Sequence, residues 1–322
     1  MTDPTGTGRR IVRSNGIDLA ITEAGEGPTV VLCHGFPELA YSWRHQLPAL
    51  AAAGYHAVAV DMRGYGDSSA PDAVEAYDIV NLTDDLTGLL DALGEDRAVF
   101  VGHDWGAIVV WNLALLAPGR VRAVAGLSVP FIPRGSLPPT QLMRALSGER
   151  FFYILYFQAE GPADRELARD PRTAMARILW TVSGDAPREA LRRLPREGTG
   201  YLDVLSDPPA LPSWLSAADL EVYVAAFERT GFTGGLRYYR NMDRNWELTE
   251  HLAGAKVTQP ALFVAGERDA VLRMTPPQVM DGWLDDLRAT ELIPAAGHWV
   301  QQERPGDVNG ALVAFLGGLS FD

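Results

Sequence analysis

Gly102-His103-Asp104-Trp105-Gly106 stands between a β-prone run, residues 98–101, and a mostly apolar helical run, residues 107–117. A strand that turns sharply into a helix through such a pentapeptide is a nucleophile elbow. It presents its middle side chain above the carboxyl edge of an α/β sheet. Aspartate occupies the middle position here, where serine is usual. A carboxylate attacking an ester or amide carbonyl gives a mixed anhydride, a poor intermediate. One attacking saturated carbon gives an alkyl ester, which water can later cleave. The residue type therefore points to the opening of a carbon–oxygen or carbon–halogen bond. Alone the pentapeptide is a weak signal, and its setting must add the rest.

Outward from the elbow, residues 17–24 alternate as a strand. Residues 29–33, 56–60 and 121–127 read as buried strands of a parallel sheet, and residues 43–53 and 80–93 as helices. This β-α-β-α alternation predicts an α/β fold, a mostly parallel sheet flanked by helices. The pattern breaks after Pro130. Residues 131–248 are rich in Arg, Leu, Pro and aromatics at helical spacing, as in 151–157, 173–182 and 220–230, and read as an inserted helical cap. Thr233-Gly234-Gly235 reads as a turn between cap helices. Strands resume at 261–265 and 290–293, and a final helix covers about 306–316. The expected division is a core of residues 1–130 and 249–322 with a cap of 131–248.

Catalytic groups in such sheets gather at the carboxyl ends of strands. Asp104, Asp269 and His298 each lie just past a strand end, in the order nucleophile, acid, histidine. Asp104 is expected to attack carbon. His298 is the expected general base for the water that cleaves the ester, and Asp269 orients the imidazole. An oxyanion hole is expected from the backbone N–H groups of Trp105 and Phe36. His103 is expected to point inward, and His34 to fix its own loop. His45, His56 and His251 have no partner pattern, and Cys33 reads as a small core residue.

His34-Gly35-Phe36-Pro37-Glu38, Asp61-Met62-Arg63-Gly64-Tyr65-Gly66-Asp67-Ser68 and the elbow itself together resemble the signature blocks of the α/β-hydrolase-fold epoxide hydrolases. So do Tyr41-Ser42-Trp43-Arg44 and Gly297-His298-Trp299. The aromatic run Phe151 to Gln158 and the block Tyr238-Tyr239-Arg240-Asn241-Met242 are similar to the two lid segments of the soluble epoxide hydrolases. The layout resembles single-domain bacterial forms, without room for the N-terminal phosphatase domain of mammalian ones. The resemblance implies that Tyr153 and Tyr239 donate hydrogen bonds to the epoxide oxygen. Their neighbours Tyr156 and Tyr238 are the rival assignments. It also implies a cis Phe36–Pro37 peptide and an apolar tunnel walled by Phe36, Trp105, Phe131, Phe157 and Trp180. The implied substrates are a small apolar epoxide and water. A detoxifying role is one of several it leaves open, and a homodimer one of several assemblies.

The net charge, 28 − 41 = −13, argues against nucleic acid as a partner. A single cysteine, a polar stretch at residues 1–10 and the lack of a long apolar run lead to the expectation of a cytoplasmic protein without a membrane span. No metal-ligand spacing and no dinucleotide or phosphate-loop glycine pattern is present, so no metal and no cofactor is expected. Two rivals remain. A dehalogenase would share the aspartate and use the Trp105 indole for halide, but Phe36 stands where some carry asparagine. A non-catalytic binding protein on this fold would be expected to lack a member of the triad.

Overall fold

The computed structural model describes residues 7–321. Eight strands form one sheet: β1 (Gly8–Ser14), β2 (Ile17–Ala24), β3 (Thr29–Cys33), β4 (His56–Val60), β5 (Ala98–His103), β6 (Val121–Leu127), β7 (Ala261–Gly266) and β8 (Leu287–Ile293). Their order is β1-β2-β4-β3-β5-β6-β7-β8. Only the β1–β2 and β2–β4 pairings are antiparallel. Strands β3, β5 and β7 are buried at every position because helices cover both faces, which is why they read as unbroken apolar runs.

Helices α1 (Gln46–Ala52), α2 (Ile79–Leu93) and α3 (Trp105–Leu116) belong to the first half. Asp78 caps α2 by accepting from Asn81 N–H at 3.0 Å, and Gly94 ends it in the left-handed conformation. Between β6 and β7 the chain runs through α4 (Pro139–Ser147), α5 (Tyr153–Tyr156), α6 (Pro162–Arg169), α7 (Pro171–Thr181), α8 (Tyr201–Val204), α9 (Ala217–Thr230), α10 (Thr233–Arg240) and α11 (Met242–Leu248). Three more follow: α12 (Val271–Met274), α13 (Val300–Glu303) and α14 (Pro305–Gly317). One apolar layer joins α2 and α3 to the sheet and continues into the helices between β6 and β7. A second packs α1 and α14 on the other face.

Two features differ from the sequence reading. Strand β1 was not expected. It is an edge strand with three arginines, half of it polar and exposed, held by its ladder to β2 and by Arg10 on Glu23 at 2.6 Å. Thr233-Gly234-Gly235 is the first turn of α10 rather than a loop. The two glycines serve close packing. A Cβ on Gly234 would strike the Gly64 backbone, and one on Gly235 would strike Tyr65 and Phe36. This contact brings α10 down onto the loop after β4. Tyr238 Oη then donates to Arg63 O at 2.8 Å, and Asn241 Nδ2 to Val74 O at 2.6 Å.

Candidate active site

The elbow's glycines are required by crowding. A Cβ on Gly102 would collide with Gly106, and one on Gly106 with the carbonyl of Cys33 on the neighbouring strand. Asp104 between them has φ 53° and ψ −119°, a conformation that costs a non-glycine residue on the order of 1–3 kcal/mol. The turn is held by Asp104 O, which accepts from Ala107 N–H at 3.0 Å and Ile108 N–H at 3.2 Å.

The geometry brings Asp104, Asp269 and His298 together. Asp269 lies in the tight turn after β7, its N–H donating to Gly266 O at 3.0 Å. Its Oδ1 accepts from Val271 N–H at 2.8 Å, while Oδ2 accepts from His298 Nδ1–H at 3.1 Å. His298 Nε2 faces Asp104 Oδ2 at 3.5 Å. All three lie beneath the surface. Burial alone would push the His298 imidazole down. The charges of Asp269 and Asp104 outweigh it and hold His298 well above the usual histidine range. Burial likewise opposes ionisation of Asp104, but His298, His103 and the Phe36 N–H together hold it below the usual carboxylate range.

Phe36 N–H donates to Asp104 Oδ1 at 2.8 Å. Trp105 N–H lies beside the same oxygen: a Cβ on Gly35 would touch both. The Phe36–Pro37 peptide is cis. His34 fixes this loop, accepting from Met62 N–H at 3.0 Å and donating to Gly35 O at 2.8 Å. Burial depresses its pKa, in keeping with a neutral ring that uses one nitrogen as acceptor.

His103 points inward and is fully buried. Its Nδ1 is hydrogen-bonded to Glu38 Oε2 at 2.6 Å, and its Nε2–H donates to the His298 carbonyl at 2.7 Å. Ser128 Oγ donates to that carbonyl at 2.7 Å. Gln301 and Gln302 donate to the other Glu38 oxygen at 3.1 and 2.8 Å. Glu303 accepts from the N–H groups of Gly297, at 2.8 Å, and Trp299, at 3.1 Å. The backbone on both sides of the histidine is therefore clamped. The sequence reading gave Ser128, Glu303 and Glu38 no role. The only local signal for Ser128 is its place at the end of a buried strand. For Glu303 none exists, because its partners are backbone groups.

Tyr153 and Tyr239 face each other with ring centroids 6.0 Å apart. Tyr239 also meets Trp105 at 5.1 Å, Phe157 at 5.1 Å and Phe36 at 5.6 Å. Burial, and next the Asp104 charge, push both phenols well above the usual tyrosine range. Neither hydroxyl has a hydrogen-bond partner among the described residues. The rivals are engaged elsewhere: Tyr238 on the Arg63 carbonyl at 2.8 Å, and Tyr156 with Glu166. Of the expected walls, Phe36, Trp105 and Phe157 ring this cluster. Phe131 instead packs edge-on against Trp111 at 6.2 Å, and among the described residues no ring contact joins Trp180 to the tyrosines. His56, read as partnerless, is hydrogen-bonded to Glu23 at 3.1 Å. Cys33 is buried in the sheet, which pushes its thiol pKa up. Among the described residues no group of His, Cys, Asp and Glu could hold a metal ion, and no helix is long and apolar enough to cross a membrane.

A strained carboxylate at an elbow, a histidine–aspartate pair at the next strand ends and a helical cap between β6 and β7 define a class. The chain belongs to the α/β hydrolase fold family, whose pattern matches residues 28–305. Its similarity within that family is to epoxide hydrolases. It is 54% identical to epoxide hydrolase A of Mycobacterium tuberculosis, over 96% of this chain and 97% of that protein. It is 40% identical to bifunctional epoxide hydrolase 2 of Sus scrofa, over 94% of this chain and 53% of that longer protein. The crystal structure of epoxide hydrolase A from Mycobacterium thermoresistibile superposes with a TM-score of 0.94 at 56% identity, covering 98% of this chain and all of that one.

Proposed function

We propose that the protein adds water to an epoxide to give a vicinal diol, through a covalent ester on Asp104. The observation that carries this reading is the division of the Asp104 carboxylate. Oδ1 is held by the Phe36 N–H at 2.8 Å, while Oδ2 faces His298 Nε2 at 3.5 Å. In the first step Oδ2 attacks an epoxide carbon. The ring C–O bond breaks, and its electron pair goes to the departing oxygen. Tyr153 and Tyr239 donate to that oxygen, and one of them gives it its phenolic proton and becomes a phenolate. Their raised pKa values keep both phenols protonated until an alkoxide, a far stronger base, appears.

In the second step His298 Nε2 takes a proton from water, and the hydroxide adds to Cγ of the ester. The resulting oxyanion develops on Oδ1, where Phe36 and Trp105 N–H groups serve as the oxyanion hole. Collapse breaks the bond from Cγ to the ester oxygen, which leaves as the diol's second hydroxyl with the proton held on His298. The proton of the new Asp104 carboxyl returns to the phenolate left by the first step. Esterification also prepares the base. It erases the Asp104 charge, one of the two carboxylates that hold the His298 pKa up, so the imidazole releases its resting proton to solvent and can accept one when water must be activated.

A dehalogenase reading gains one point from Trp105, whose indole N–H lacks a protein partner among the described residues. It loses more: Phe36 offers no side-chain donor for halide, and two unpartnered phenols suit an oxygen. Replacing His298 by Gln removes only the second step. After incubation with styrene oxide, the variant's intact mass is expected to rise by one substrate, with the adduct mapping to Asp104. An unmodified protein after long incubation overturns the covalent mechanism.

A further inference from the structure

A third tyrosine belongs to the same cluster, and neither the mechanism nor the sequence reading uses it. Tyr201, at the start of α8, is 8% exposed. Its ring lies 4.9 Å from Phe157 and 5.7 Å from Tyr153, centroid to centroid. Its position is fixed from behind. The N–H groups of Tyr201 and Leu202 donate to the two Glu166 oxygens at 3.0 and 2.9 Å, and Gly200 N–H donates to Asp203 at 2.8 Å. The hydroxyl itself has no hydrogen-bond partner among the described residues. Nor is it sealed in protein, unlike Tyr65 Oη, which is both buried and unpartnered. Burial, and next the Asp104 charge, raise the Tyr201 phenol, so it remains a donor beside the Tyr153 ring.

A phenylalanine would complete this apolar wall without any polar group to satisfy. A tyrosine held so firmly presents a donor that only a ligand or water can meet. The epoxide oxygen already has two donors in Tyr153 and Tyr239. We propose that Tyr201 forms a polar subsite for a second oxygen on the substrate, an ether or hydroxyl oxygen one or two bonds from the epoxide ring. The favoured class is then epoxides of the glycidyl-ether or epoxy-alcohol type rather than plain hydrocarbon epoxides. This inference rests on the epoxide hydrolase reading.

The test compares phenyl glycidyl ether with 1,2-epoxy-4-phenylbutane, in which a methylene replaces the ether oxygen. The kcat/KM of each is measured for the native protein and for Tyr201→Phe. The expected result is a loss of about fivefold to tenfold on the ether, the size of one neutral hydrogen bond, and a change within about twofold on the carbon analogue. Retained turnover of the analogue shows that the variant is folded. An equal loss on both substrates, or none on the ether, overturns the subsite. Native protein that hydrolyses neither substrate overturns the parent reading instead.

Discussion

Asp104 and His298 control each other's charge across 3.5 Å. The direction of each shift fixes how the pair depends on pH. His298 is raised, so its stabilising interaction is complete below the ordinary imidazole pKa of about 6.5 and fades as pH rises through the higher folded value. Asp104 is lowered, so its contribution is complete above about 3.9 and is lost as pH falls through the lower folded value. Asp104→Asn removes one carboxylate and leaves Asp269 in place. The His298 pKa, followed by the imidazole NMR signals, is expected to fall relative to the native protein. An unchanged titration would show that Asp104 does not hold the histidine protonated, and that esterification cannot release it. Asp104 and Asp269 were legible in the sequence because each follows a buried apolar run, whereas His298 follows a mostly exposed strand and was legible from its place past that strand and from the order of the three. Tyr153 and Tyr239 were legible only through resemblance, because nothing in their own periodicity separates them from Tyr156 and Tyr238. Tyr201 had no signal: its four-residue helix lies in a stretch where Pro, Gly and Arg obscure any pattern.

At the scale of elements, the central strands were readable because both faces are covered, and β1 was not, because it is a polar edge strand. The most instructive case is α10. Two glycines outweighed the helical signal around Tyr238, yet they are there so that the helix can rest on the Gly64 backbone. Alanine is intrinsically better than glycine in a helix by about 1 kcal/mol. Even so, Gly234→Ala is expected to destabilise the protein by about 1–3 kcal/mol, because a methyl group must displace backbone. Urea unfolding measures this directly. A more stable variant would show that α10 does not need its close approach, and that Tyr239 is placed by something else. Because Tyr239 is carried on α10, the variant should also lose activity in the folded state.

On the scale of the whole molecule, each layer supplies a different part of the proposed reaction. The sheet's carboxyl edge presents Asp104, His298 and Asp269, the proposed nucleophile, base and orienting acid. The segment between β6 and β7 supplies the phenols. The loop after β3 supplies the N–H that holds Asp104 Oδ1. Bonds from the cap to the core, such as Tyr238 to Arg63 and Asn241 to Val74, join the two halves on the Tyr239 side. The central claim is that the oxygen added to the substrate comes from Asp104 rather than directly from water. A single turnover in H₂¹⁸O, with protein in excess over epoxide, tests it. The expected products are unlabelled diol and one ¹⁸O in the peptide that contains Asp104, read by mass spectrometry. Labelled diol with unlabelled Asp104 would contradict it.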